Sequence, residues 1–138
     1  MKHYVLDSYA LLAYFGREPG YTIVSELLIR SISDVQLYLS LINFGELAYI
    51  LERQQGSGRA IEMLKDIRRL PITLCGVDEN RVLAAAHVKA QYPISYADAF
   101  ATALAQELNA TLVTGDPEFS RVAEIISMLW LPQTERSA

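Results

Sequence analysis

The feature that most constrains this chain is its alternation of very short apolar runs with longer stretches patterned at the helical repeat. Residues 4–6, 35–39, 72–75 and 111–113 are brief segments rich in β-branched and other apolar residues, of the length a buried strand has. Between them, apolar residues recur every three or four positions over 9–15, 21–32, 41–55, a stretch through Ile61, Leu64, Ile67 and Leu70, then 79–92 and 96–108. The punctuation agrees with this division. Ser40, Asp78 and Ser95 stand where helix N-caps belong. Gly16, Pro19-Gly20, Gly56-Ser57-Gly58, Pro71 and Pro93 stand where elements end. A last strand is expected over 125–131, with Pro132 closing the ordered part. Strands alternating with helices predict an α/β fold whose parallel sheet is covered on both faces. No repeat, low-complexity stretch or composition shift divides the 138 residues, so a single domain over 1–138 is expected.

Composition narrows the function. With 51% hydrophobic and 20% charged residues, the chain can build a core and is not intrinsically disordered. Its one cysteine, Cys75, cannot form an intrachain disulfide, and with only His3 and His87 beside it a zinc site of the Cys/His kind is out of reach. A reducing, cytoplasmic setting is the expectation. No apolar run approaches the roughly 20 residues of a membrane span, and Asp7 interrupts the N-terminal segment before a signal-peptide core could form. A soluble protein with no membrane partner is therefore expected. The net charge of −4 lacks the basic excess that usually marks a nucleic-acid binder.

Four carboxylates stand out. Ligands of open parallel sheets gather at the carboxyl ends of strands. Asp7 follows the first strand directly, and Asp116 lies three residues after Val113. Each also reads as a helix cap, Asp116 with Pro117 at the first helical position. Glu46 shares a helical ridge with Ile42 and Ile50, on a helix apolar on nearly every side. A carboxylate buried there needs a cation or a proton; the alternative is a helix edge from which it reaches water. Asn43, one turn earlier, adds a second polar group. Asp98 stands at the capping-box interval after Ser95 and begins a polar stripe with Thr102 and Gln106. The alanines around it let the helix pack tightly on a sheet and bring Asp98 near the strand ends. Carboxylates that converge without Lys or Arg repel one another, and an oxygen-only donor set suits Mg²⁺ or Mn²⁺. Such ions activate water and clamp the oxygens of a phosphoryl centre.

Leu6-Asp7-Ser8 with Ala10-Leu11-Leu12-Ala13, Asn43-Phe44-Gly45-Glu46, Tyr96-Ala97-Asp98-Ala99-Phe100 and Thr114-Gly115-Asp116-Pro117-Glu118-Phe119 together resemble the PIN-domain family. The nearest likeness is to the toxin ribonucleases of VapBC toxin–antitoxin pairs, and it runs in order from Tyr4 to Phe119. The resemblance implies a three-layer α/β/α fold around a central parallel sheet. It also implies an endoribonuclease dependent on Mg²⁺ or Mn²⁺ that hydrolyses RNA with metal-activated water, a cognate VapB-like antitoxin that occupies the site, and a homodimer. Residue by residue, Asp7, Glu46, Asp98 and Asp116 match the family's catalytic, metal-binding acids. Ser8 and Thr114 match its hydroxyl positions, Asn43 a commonly polar one, and Glu118 a more variable acid that reaches metal through water. Tyr9 departs from the small polar residue of many members. Two divalent ions would offset the formal −4 at the place a phosphate must occupy.

Beyond the metals, Arg17, Arg59, Arg68 and Arg69 are candidate RNA contacts, each with ordinary surface solvation as its alternative. His87 reads as a packed or surface histidine and Cys75 as a small buried hydrophobe. The aromatic and leucine positions of 11–15 and 47–51 are expected in the core or at a dimer surface rather than as platforms for bases. Two other readings compete: a PIN-like module that binds RNA or protein without cutting, and a metal-dependent phosphatase or phosphorelay domain. The complete set of four acids argues against the first. Against the second, no Asp stands two residues after Asp7 and no strand-end Lys is present. No glycine-rich loop ends in Lys-Ser or Lys-Thr, which excludes P-loop hydrolysis.

Overall fold

The computed structural model describes residues 1–133. Strands β1 (Lys2–Leu6), β2 (Val35–Ser40), β3 (Ile72–Cys75), β4 (Thr111–Thr114) and β5 (Ser127–Trp130) form one sheet in the order β3-β2-β1-β4-β5. Every pairing is parallel. Six helices connect them: α1 (Ser8–Phe15), α2 (Tyr21–Arg30), α3 (Leu41–Gln55), α4 (Ser57–Arg69), α5 (Glu79–Gln91) and α6 (Tyr96–Leu108).

The two-residue side-chain period of the strands explains the layers. Tyr4 and Leu6 of β1, Val35, Leu37 and Leu39 of β2, and Val113 of β4 point into one core with α1, α2, α3 and α4. Val5 and Leu112 point the other way, into a second core with α5 and α6. The central strand β1 is thus buried on both sides, as a covered parallel sheet requires. The fold is the expected α/β/α arrangement. Helix α6 packs on the sheet through small residues, with Ala99, Ala101, Ala103 and Ala105 all buried.

Most expected boundaries hold within a residue or two. Ser40, Asp78 and Ser95 each accept a backbone N–H of their helix's first turn. Between α3 and α4 the break is Gly56 alone, held at φ +85, and Ser57 and Gly58 already belong to α4. The last strand is shorter than expected. Asp116 and Pro117 start a 3-10 turn, Pro117–Val122, which occupies the approach to β5. Among the described residues no helix is long and apolar enough to cross a membrane.

Candidate functional site

The register aligns three strand ends. Leu6 pairs with Leu39 on one side and Val113 on the other, so Asp7, Ser40 and Thr114 follow at one level. Asp7 is 2% exposed. Its Oδ1 accepts the Ala10 N–H at 2.9 Å and caps α1, while Oδ2 accepts the Thr114 hydroxyl. The same Thr114 oxygen accepts the Asp116 N–H at 3.0 Å. Asp116 in turn caps the 3-10 turn through the Glu118 N–H at 2.9 Å. Capping and convergence, alternatives in the sequence, therefore coexist. The cap bonds hold Asp7 and Asp116 in place at the strand ends.

From the other face, Ser95 accepts the Asp98 N–H at 3.1 Å and starts α6 so that Asp98 sits buried over the strand ends. One oxygen each of Asp98, Asp116 and Glu118 lies within 4.8 Å of the others. Glu46 is half-buried rather than enclosed, and its carboxylate accepts the hydroxyl of the buried Ser8. Asn43 is fully buried. Its side-chain amide donates to the Ala97 carbonyl at 3.3 Å, while its own carbonyl oxygen has no partner. It ties α3 to the first turn of α6 and so sets Glu46 relative to Asp98. The structure thus brings Asp98, Asp116 and Glu118 into the tightest group. Asp7 stands behind it on its hydrogen bonds and Glu46 beside it on Ser8.

No Lys or Arg pairs with Asp7, Glu46, Asp98 or Asp116 among the described residues. The electrostatic consequence is plain. Burial raises the Asp7 carboxyl to about 8; the Thr114 and Ala10 hydrogen bonds pull it down, and Asp98 and Asp116 push it further up. Asp98 rises to about 7, again by burial first and then by Asp116, with Glu46 and Glu118 adding to it and Ser95 opposing. Burial plus like charge without a countercation makes these carboxylates a candidate functional site. An oxygen-only donor set of this kind fits a hard divalent ion.

One contact was not legible in the sequence. A methyl group on Gly115 would lie 2.3 Å from Tyr9 Cε1, so the Tyr9 ring occupies the space any side chain at 115 would need. Its signal is a bulky residue beside Asp7 facing a glycine between Thr114 and Asp116. Of the four arginines considered for RNA, Arg59 and Arg69 pair with Glu62 and Asp66 on α4. Arg17 and Arg68 lie over the rings of Tyr21 and Phe44.

A parallel α/β/α domain with an all-carboxylate cluster at its strand ends is the class these features define. The chain belongs to the PIN domain family, whose pattern it matches over residues 4–125. No curated protein matches it in sequence. Its fold is similar to a chain of the DNA-bound VapBC complex from Salmonella typhimurium (18% identity, 94% of this chain and 98% of that one, TM-score 0.74). It is similar to a chain of VapBC2 from Rickettsia felis bound to a promoter DNA fragment (17% identity, 94% and 99%, TM-score 0.72). It is also similar to VapC20 of Mycobacterium tuberculosis, a toxin described as cleaving the sarcin–ricin loop (17% identity, 94% and 99%, TM-score 0.72).

Proposed function

We propose that this protein is a divalent-metal-dependent endoribonuclease and the toxin of a toxin–antitoxin pair. The observation that carries the nuclease reading is the group formed by Asp98, Asp116 and Glu118, with buried Asp7 behind it and, among the described residues, no Lys or Arg paired with Asp7, Asp98 or Asp116. Asp98, Asp116 and Glu118 would hold a Mg²⁺ or Mn²⁺ ion, with Asp7 and Glu46 adding negative charge that strengthens its binding. Bound there, such an ion supplies positive charge to the scissile phosphate and acidifies the attacking water.

The chain's own groups do the rest. Thr114 and the Ala10 N–H fix the Asp7 carboxylate, and Ser8 fixes Glu46, so both present their oxygens without rearrangement. Burial and like charge raise the Asp7 and Asp98 carboxyls, so a cation would compete with protons for them. The toxin reading rests on likeness of fold to VapBC chains. A small antitoxin is the expected partner, and an Arg from it placed among these carboxylates would form charge-assisted hydrogen bonds.

The test is cleavage of total RNA with Mn²⁺ and with EDTA, followed by analysis of the new ends. Attack by water leaves a 5′-phosphate and a 3′-hydroxyl. A 2′,3′-cyclic phosphate would mean that the ribose hydroxyl attacks, and would overturn the mechanism. Expression alone should arrest growth, and co-expression with the adjacent antitoxin gene should relieve it. Harmless expression of a protein active in vitro would remove the toxin reading and leave the nuclease.

A further inference from the structure

Helix α3 carries a second surface beside Glu46. Leu41, Gly45, Tyr49 and Arg53 follow one another at four-residue intervals and so form one ridge. All four are exposed, Leu41 at 42% and Tyr49 at 49%. A Cβ at Gly45 would meet nothing within 4 Å among the described residues. A glycine inside a helix costs roughly 0.5–1 kcal/mol relative to alanine, and no packing among the described residues requires it.

Arg53 sets the character of the ridge. Five arginines, at 30, 59, 69, 81 and 121, lie against carboxylates. Arg53 has no such partner among the described residues. Its guanidinium lies instead 5.0 Å from the centre of the exposed Tyr49 ring. Seven residues are just under two turns, so Arg53 stands nearly in line with Glu46, about 10 Å farther along the axis. Tyr49 lies between them.

We propose that Tyr49 and Arg53 form a nucleotide subsite for the RNA strand whose scissile phosphate sits at the carboxylate cluster, Tyr49 stacking a base and Arg53 holding a phosphate. The inference rests on the nuclease reading and extends it to how the strand is gripped. Charge complementarity selects the occupant. A polyanion anchored at the cluster passes along α3, where this ridge offers a cation not spent on an internal acid. An exposed ring held by a guanidinium is a stacking platform that tolerates any base, and Gly45, one turn before Tyr49, leaves open space beside it. Tyr49, being exposed, lies outside the core expected for 47–51, and the subsite gives it the platform role withheld there.

The test uses the full-length protein in Ca²⁺, a hard ion with the same ligand preference, with RNA integrity checked on a gel. Binding of a labelled single-stranded RNA of about 15 nucleotides is read by anisotropy. Tyr49→Ala and Arg53→Gln should each raise Kd roughly ten-fold, and Tyr49→Phe should not. Arg53→Gln should also flatten the slope of log K against log salt by about 0.7, the release expected for one phosphate contact on a single strand. Melting temperatures should stay at the parent's value. Parent-like Kd values in both variants would overturn the subsite while leaving the nuclease in place. A parent that binds no RNA would overturn both. Variants that bind RNA normally but change from dimer to monomer would assign the ridge to a second copy of the chain instead.

Discussion

Four exposed acids of this protein lie against arginines. Asp34 meets Arg30 at 2.8 Å, Glu62 meets Arg59 at 3.1 Å, Asp66 meets Arg69 at 3.4 Å, and Glu107 meets Arg81 at 2.9 Å. At the carboxyl ends of β1 and β4 the acids have only hydroxyls and backbone N–H groups. The protonation behaviour splits the same way. Arg30 and Arg81 hold Asp34 and Glu107 below the ordinary carboxylate range, whereas burial drives Asp7 and Asp98 far above it. Paired acids are complete within the chain. The clustered acids are complete only when something positive arrives, and that difference separates a site from a surface.

Breaking the clustered set should have the largest effect. Asp98→Asn and Asp116→Asn should lower RNA cleavage on the order of a hundred-fold or more, since each removes a charge from the donor group. Neither should unfold the protein. Mn²⁺ at about 100 times its Kd should stabilise the parent by about 2.7 kcal/mol through mass action and these variants much less. Melting curves with and without Mn²⁺ read the difference. Glu107→Gln, a substitution among the paired acids, should respond to Mn²⁺ as the parent does. An equal Mn²⁺ response in Asp98→Asn would show that the cluster does not bind the ion.

The next effect is a pH dependence that only the cluster can produce. The folded-state pKa values of Asp7 and Asp98, about 8 and about 7, lie above the ordinary 3.8. The folded protein therefore keeps protons that the unfolded chain has lost. The stability from these groups is fully present below about pH 4 and is lost as pH rises through 7 and 8. Metal-free protein should melt lower at about pH 8.5 than at about pH 6. Mn²⁺ affinity should run the other way, rising with pH until both carboxyls are ionised. A melting temperature flat across this window would mean that the acids titrate normally.

Much of this arrangement was legible in the sequence because it depends on local rules. The strand and helix alternation, the serine and aspartate caps and the positions of Asp7 and Asp116 after strands are all short-range features. Their partners were not legible. That Thr114 joins Asp7 to the Asp116 backbone, and that Ser8 meets Glu46, depends on which strands become neighbours. The ridge of Ile42, Glu46 and Ile50 suggested an enclosed carboxylate, yet all three are half-buried. Apolar flanks on a helix report what packs nearby, not whether the tip of a long side chain reaches water.

Glu118 stands between the two kinds of acid and sharpens the comparison. One of its oxygens belongs to the cluster with Asp98 and Asp116, yet it is exposed and lies 4.0 Å from Arg121. Glu118→Gln should weaken Mn²⁺ binding by about ten-fold, less than loss of a buried acid, because water can replace an exposed ligand. Arg121→Ala should strengthen it slightly by removing a competing cation. Isothermal titration with Mn²⁺ reads both. A loss as large as that of Asp98→Asn would move Glu118 fully into the cluster, and no change would return it to the surface.

The smallest effect belongs to the best-made pair among the partnered acids. Arg81 Nε and Nη2 donate to the two oxygens of Glu107 at 3.0 and 2.9 Å, and Nη1 donates to the Gly76 carbonyl at 2.9 Å. This fork joins the start of α5, the last turns of α6 and the loop after β3. Its geometry is bidentate, which favours it over single contacts. The Glu107 side chain is nonetheless 45% exposed, and solvent screens the attraction. Glu107→Gln should therefore cost only about 0.2–1 kcal/mol, with the loss shrinking as salt is raised. Arg81→Lys should cost about as much, because an ammonium cannot serve both carboxylate oxygens and the Gly76 carbonyl in one plane. RNA cleavage should be unchanged in both variants. Denaturant melts at low and high salt measure the loss; a loss that salt leaves untouched would mean that the pair acts through packing of α5 on α6 rather than through charge.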